Sequence, residues 1–127
     1  MKTFKAHTRR ISSLASSLDG LTMVSVGWDG ECKVWSGRGH RELSSLKSTN
    51  ESPYNCVVYH PEKDFIITGD WNGNLKIWDL TSLERKAILR GHKNSIQDLK
   101  LASNASIVVS ADILGIVCVF DGEFILL

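Results

Sequence analysis

The chain is predicted to be all-β, a partial β-propeller of about three four-stranded antiparallel blades, and three observations in one register predict it. Trp35, Trp78 and Phe120 each close a short apolar run and recur at spacings of 43 and 42 residues. Ile11, Tyr54 and Ile96 stand 24 residues before those aromatics, and Gly30, Gly73 and Gly115 stand five before them. A period of roughly 40 to 45 residues with a Gly-His opening and a Trp-Asp close is the signature of propeller blades, units that bury their faces only by stacking on neighbours. The repeats run approximately over residues 4–46, 47–89 and 90–127, so residues 1–127 form one repeat region.

The first unit offers strand-length runs at 11–15, 21–26 and 31–35, separated by the turn sequences Ser-Leu-Asp-Gly at 17–20 and Trp-Asp-Gly at 28–30. The second offers 54–59, 65–68 and 74–78, broken at 60–64 and at 71–73; Pro61 falls in the first break, where its missing N–H costs no ladder bond. The third offers 96–101, 107–110 and 116–120, with Ser103 and Asn104 in its first turn and Leu114-Gly115 in its second. A fourth, outer strand is expected in each unit, at about 42–46, 83–89 and 124–127. Residues 2–5 read as the outer strand of a preceding blade, since Phe4 stands three before His7 as Leu89 stands three before His92. The runs are bounded by turn residues, and no stretch has the period of a helix.

Three segments carry a family resemblance: Val-Gly-Trp-Asp-Gly-Glu-Cys-Lys-Val-Trp at 26–35, Gly-Asp-Trp-Asn-Gly-Asn-Leu-Lys-Ile-Trp-Asp at 69–79, and Leu-Arg-Gly-His at 89–92. On these the chain resembles the WD40 repeat family over nearly its whole length. The resemblance implies a structural latch in each blade, made of a His before the first strand, a Ser or Thr on the second, an Asp in the next tight turn and a Trp on the third. It assigns His7, Ser25, Asp29 and Trp35 to the first unit. The second keeps Thr68 and Trp78 but has Asn50 and Asn72 in the other places; the third keeps His92 and Ser110 but has Leu114 and Phe120. Only the first blade is therefore expected to be fully latched. Such groups satisfy one another where water is partly excluded, whereas joint loss of a donor and an acceptor can be nearly neutral.

Apolar residues make up 43% of the chain and charged residues 23%, ordinary values for a globular protein. No stretch approaches the roughly 18 apolar residues of a membrane span, and no apolar run precedes Ile11, so an intracellular address is expected, cytoplasmic with the nucleus also open. Cys32, Cys56 and Cys118 are odd in number and lie on predicted strands, which suits buried reduced thiols. Closed propellers have four to eight blades. Three units therefore imply a piece of a longer propeller, a subunit that closes a ring with a second copy, or an open array; the remaining blades or a second copy join the expected partners.

Catalysis finds no support in the motifs. There is no Gly-rich phosphate loop, no His-Glu-x-x-His and no Gly-x-Ser-x-Gly, and the histidines at 7, 40, 60 and 92 are not at metal-ligand spacing. The expectation is a non-enzymatic scaffold that needs no cofactor and no metal. Loops entering the first strands and turns joining the second and third strands fall on one end, which resembles the recognition face of WD40 propellers. There Trp28 and Trp71, with Arg10, Asn55 and Gln97, have the composition of a protein-interaction hot spot. The same tryptophans could instead pack over neighbouring turns. An alternative is a nucleic-acid or anionic-lipid module using Lys2, Lys5, Arg9 and Arg10, although a net charge of +1 counts against nucleic acid and membrane.

Overall fold

The structure is a computed structural model that describes residues 1–38, 41–47, 52–102 and 104–123. All regular structure among these residues is strand. Blade one is an antiparallel meander of β1 (Ile11–Ser16), β2 (Thr22–Gly27), β3 (Glu31–Ser36) and β4 (Glu42–Lys47). Blade two repeats it with β5 (Tyr54–Tyr59), β6 (Phe65–Asp70), β7 (Asn74–Asp79) and β8 (Glu84–Arg90). Blade three has β9 (Ile96–Ala102), β10 (Ile107–Asp112) and β11 (Val117–Asp121). The outer strand expected at 124–127 lies outside the described residues. Residues 2–5 form no strand, contrary to the expectation above, because no neighbouring strand offers them a ladder to join.

The turns from second to third strand are set by glycine. Gly30, Gly73 and Gly115 have φ of 76°, 84° and 87°, a left-handed conformation that a side chain disfavours. Each closes its turn by donating its N–H to the carbonyl three residues back, on Gly27, Asp70 and Asp112, at 3.3 Å.

A blade of this chain is apolar on both faces, so its strands cannot alternate apolar and polar as a half-exposed sheet does. Val24, Val26, Cys32, Val34 and Leu46 of blade one pack on Tyr54, Val57, Ile66, Trp78 and Leu80 of blade two. One register later, Cys56, Ile67, Leu75, Ile77 and Leu89 of blade two pack on Ile96, Leu99, Val108, Cys118 and Phe120 of blade three. The first strands stand side by side, β1 beside β5 and β5 beside β9. The two remaining faces hold the same register positions without a neighbour: Ile11 and Leu14 of blade one are 44% and 71% exposed, and Val117 of blade three is 61% exposed. Trp35, on that open face of blade one, stays buried with the Phe4 ring against it at 4.9 Å.

The three cysteines are buried and unpaired, as thiols among strand residues should be. Burial pushes the Cys32 and Cys56 thiols up to about 12, which keeps both protonated near neutral pH.

Gly69 sits against blade three, and a Cβ there would lie 2.8 Å from Ile96 Cγ2 across the seam and 2.7 Å from Cys56 Sγ within blade two. Gly69→Ala should therefore pry blade three from blade two and destabilise the chain by about 1–3 kcal/mol. Urea unfolding followed by circular dichroism checks this, and an unchanged midpoint would mean the interface yields more easily than its packing suggests.

Candidate functional site

The latch determines where the loops at one end of the array stand. In blade one, His7 is buried, its Nε2 2.7 Å from Ser25 Oγ and its Nδ1 2.9 Å from Asp29 Oδ2, while Trp35 Nε1–H donates to Ser25 Oγ at 3.0 Å. Proton bookkeeping orients the whole chain of contacts. An ionised Asp29 can only accept, so His7 carries its proton on Nδ1; that tautomer leaves Nε2 an acceptor, to which the Ser25 hydroxyl donates while its oxygen accepts from Trp35. Asp29 also accepts backbone N–H groups of Thr8 and Glu31, tying the entry loop to the turn. His7, Asp29 and Glu31 bring three potential ligand atoms within 4.8 Å of one another, yet both His7 nitrogens are already engaged.

Blade three corrects one expectation. Leu114 does not deprive it of an acid: His92 Nδ1–H donates to Asp112 Oδ2 at 3.0 Å, and His92 Nε2 lies 2.7 Å from Ser110 Oγ. Asp112 comes two residues before Leu114, at the end of β10, and its other oxygen accepts N–H groups of Leu114 and Ile116. Gly27 occupies the equivalent position in blade one. A Cβ there would lie 3.1 Å from His7 Nδ1 and 3.3 Å from Asp29 Oδ1, so glycine vacates the space through which the carboxylate of Asp29 arrives from the turn. One acceptor site is thus filled from either of two sequence positions. Phe120 supplies no N–H, so Ser110 lacks the third-strand partner that Ser25 has in Trp35. In blade two, Trp78 Nε1–H donates to Thr68 Oγ1 at 3.1 Å, and Asp70, again at the end of the second strand, accepts N–H groups of Asn72 and Asn74 and pairs with Lys76 at 3.6 Å. Asn50 lies outside the described residues.

Above the latches the first strands carry a repeated irregularity. Ser12, Asn55 and Gln97 are each the extra residue of a β-bulge, lying between the pairs Ile11–Gly27 and Ser13–Val26, Tyr54–Asp70 and Cys56–Gly69, and Ile96–Asp112 and Asp98–Ala111 respectively. A bulge re-aims its side chain, and here two of the three reach the next blade. Ser12 Oγ–H points to Tyr54 O at 2.5 Å, and Asn55 Nδ2–H donates to Ser95 Oγ at 2.7 Å and to Ile96 O at 2.9 Å. A second register holds the turns: the N–H groups of Trp28, Trp71 and Ile113 donate to the carbonyls of Arg10, Pro53 and Ser95 at 2.9, 3.0 and 3.1 Å.

These registers line one open groove of about 540 Å³ crossing the three blades, formed by Arg10, Ser12, Trp28, Asn55, Trp71, Ser95, Gln97 and Ile113. The Arg10 guanidinium lies 4.9 Å from the Trp28 ring centroid, the Trp28 and Trp71 rings meet edge to face at 5.2 Å, and Trp71 Nε1–H donates to Asn55 Oδ1 at 2.8 Å. Arg10, Trp28, Asn55, Trp71 and Gln97 are therefore brought together, and the continuous set of contacts holds the aromatic surface in one arrangement. Sequence reading passed over Ser12 and Ser95; the signal that could have found them is their shared register with Asn55 and Arg10. Lys2, Lys5 and Arg9 are exposed, belong to no ion pair or cation–π contact among the described residues, and do not line this groove. Phe4, between the two lysines, lines a separate apolar groove with Ile11, Leu14 and Trp35.

Comparison with known proteins agrees with this geometry. The family model described as WD domain, G-beta repeat matches residues 1–36, 40–79 and 83–121. The chain is 31% identical over 113 residues to the probable coatomer subunit beta' of Schizosaccharomyces pombe, covering 87% of this chain and 14% of that protein. It is 26% identical over 108 residues to the target of rapamycin complex subunit LST8 of Mus musculus, covering 85% and 33%. It is 39% identical over 64 residues to the ribosome biogenesis protein erb1 of Aspergillus clavatus, covering 50% and 8%. The chain thus spans a third or less of the length of these relatives.

The latches predict a graded response. Ser25→Ala orphans two buried groups, Trp35 Nε1 and His7 Nε2, whereas Ser110→Ala orphans only His92 Nε2; the first should cost about 1–3 kcal/mol more in urea unfolding. Asp29→Ala should cost about 1–3 kcal/mol, because it leaves buried His7 Nδ1 and the Thr8 and Glu31 N–H groups without their acceptor. Burial opposes the charge on Asp29, but the hydrogen bonds from His7, Glu31 and Thr8 outweigh it and lower the pKa below 3.8; the same balance, with His92, Ile116 and Leu114, lowers that of Asp112. Their contribution is complete above about pH 4 and is lost as pH falls through the lowered values. Melting temperature followed from pH 6 to 2 should fall less steeply in Asp29→Asn than in the parent.

Proposed function

The chain belongs to the WD40 repeat family, and on that premise we propose that it is a non-enzymatic scaffold segment whose loop-face groove binds a protein or peptide partner. The observation that supports this best is the joined row of Arg10, Trp28, Trp71 and Asn55, in which exposed aromatic surface is held by hydrogen bonds and stacking before any partner arrives. Trp71 is 45% exposed and Ile113 55% exposed. Aromatic and arginine side chains fixed in place are what dominate binding energy at protein interfaces, since little conformational freedom is lost on contact. The relatives are named as a coatomer subunit, a target of rapamycin complex subunit and a ribosome biogenesis protein, which agrees with a scaffold role in an intracellular assembly.

Affinity capture with the wild-type chain, Trp28→Ala, Trp71→Ala and Leu18→Ser tests the reading, because Leu18 is exposed at the opposite end of blade one. Captured proteins should disappear with either tryptophan variant and persist with Leu18→Ser and with rising salt. Material that survives the tryptophan variants but is lost to salt or nuclease, and to charge reversal of Lys2, Lys5 and Arg9, would replace this reading with phosphate binding.

A further inference from the structure

We infer that the loop-face groove selects an extended, acidic peptide segment, with a side-chain carboxylate seated on Arg10 and an apolar side chain beyond it on Trp71 and Ile113. This rests on the loop-face reading and specifies its ligand. Charge is the first ground. Among the described residues, the carboxylates at the tight turns are consumed by their own blades: Asp29 by His7 and two N–H groups, Asp70 by Lys76 and two N–H groups, Asp112 by His92 and two N–H groups, while Glu31 beside Asp29 lies 3.8 Å from Lys33. Among the described residues no carboxylate lines the groove, while Arg10 does, and the entry loops add exposed Arg9 and Lys93. Arg10 forms no ion pair among the described residues.

Geometry is the second ground. A guanidinium whose face lies on an indole has its N–H edge free, and that edge matches the two oxygens of a carboxylate in a paired, planar contact. Backbone placement is equally fixed, since Arg10 O accepts the Trp28 N–H and no Cβ of residue 27 crowds it. Exposed Trp71 and Ile113 continue the floor as apolar surface, and the exposed Gln97 side chain lining the groove offers an amide to the backbone of a strand-like ligand. A nucleic-acid strand fits this less well, because a single lining cation gives a small counterion-release term.

The test is selection of a random dodecapeptide library displayed on phage against the wild-type chain, Arg10→Gln, Arg10→Glu, Trp28→Ala and Trp71→Ala, with the affinity of the most enriched synthetic peptide then measured by fluorescence anisotropy. The expected result is enrichment of Asp and Glu next to an apolar residue, about a tenfold or greater loss of affinity with Arg10→Gln, and selection of Lys and Arg instead by Arg10→Glu. Arg10 is exposed, and unchanged circular dichroism of its variants excludes misfolding as the cause of loss. Peptides without acidic bias that still fail on Trp71→Ala would overturn the carboxylate inference and leave the loop-face reading standing. Peptides indifferent to Arg10, Trp28 and Trp71 would overturn both, and so would the absence of any enriched peptide.

Discussion

No blade of this protein can bury itself. Each sheet is apolar on both faces, so the fold depends on one sheet lying against the next, with Val24, Val26 and Val34 meeting Ile66 and Trp78, and Ile67, Leu75 and Ile77 meeting Leu99, Val108 and Phe120. Burying a Val, Leu or Ile side chain is worth about 1.5–3 kcal/mol, and seven of the ten buried residues at each interface are of these types, so face-to-face packing outweighs every polar contact in the structure. Stability of this kind is the sum of units and neighbour interfaces, which is why the same positions recur at every blade.

The polar groups have a different task, which is to choose one arrangement among many well-packed ones. His7 and His92 sit in closed sets of donors and acceptors that fasten the entry loop to the tight turn, and the turns in turn carry Trp28 and Ile113. Blade two differs: Asp70 organises its turn from the end of β6 and pairs with Lys76 rather than with an imidazole among the described residues. Three chemically different solutions hold turns of the same φ, so the backbone shape persists while the residues that enforce it vary.

That variation also marks what could be read from the sequence. Blade number, strand positions and the end on which Trp28 and Trp71 stand follow from the repeat period and from the turn residues that bound each apolar run, since burial and turn geometry recur at every repeat. The acid of blade three did not follow, because a fixed count back from Phe120 lands on Leu114, whereas the carboxylate enters from Asp112 two residues earlier. The bulges were equally hidden. A bulge adds a residue to one strand without changing the spacing of landmarks on either side, so Asn55 and Gln97 were legible as polar neighbours of the tryptophans while Ser12 and the inter-blade reach of Ser12 and Asn55 were not.

The bulged residues give the array a direction. Ser12 and Asn55 both reach forward, to the first strand of the following blade, and Asn55 also holds Trp71 through its carbonyl oxygen. The orientation of Trp71 therefore records where β9 stands relative to β5. A shift of blade three by a few tenths of an ångström would be felt at the groove, and a load placed on Trp71 would be felt at the seam between blades two and three. The recognition surface is in this sense also a strain gauge for the spacing of the sheets that carry it.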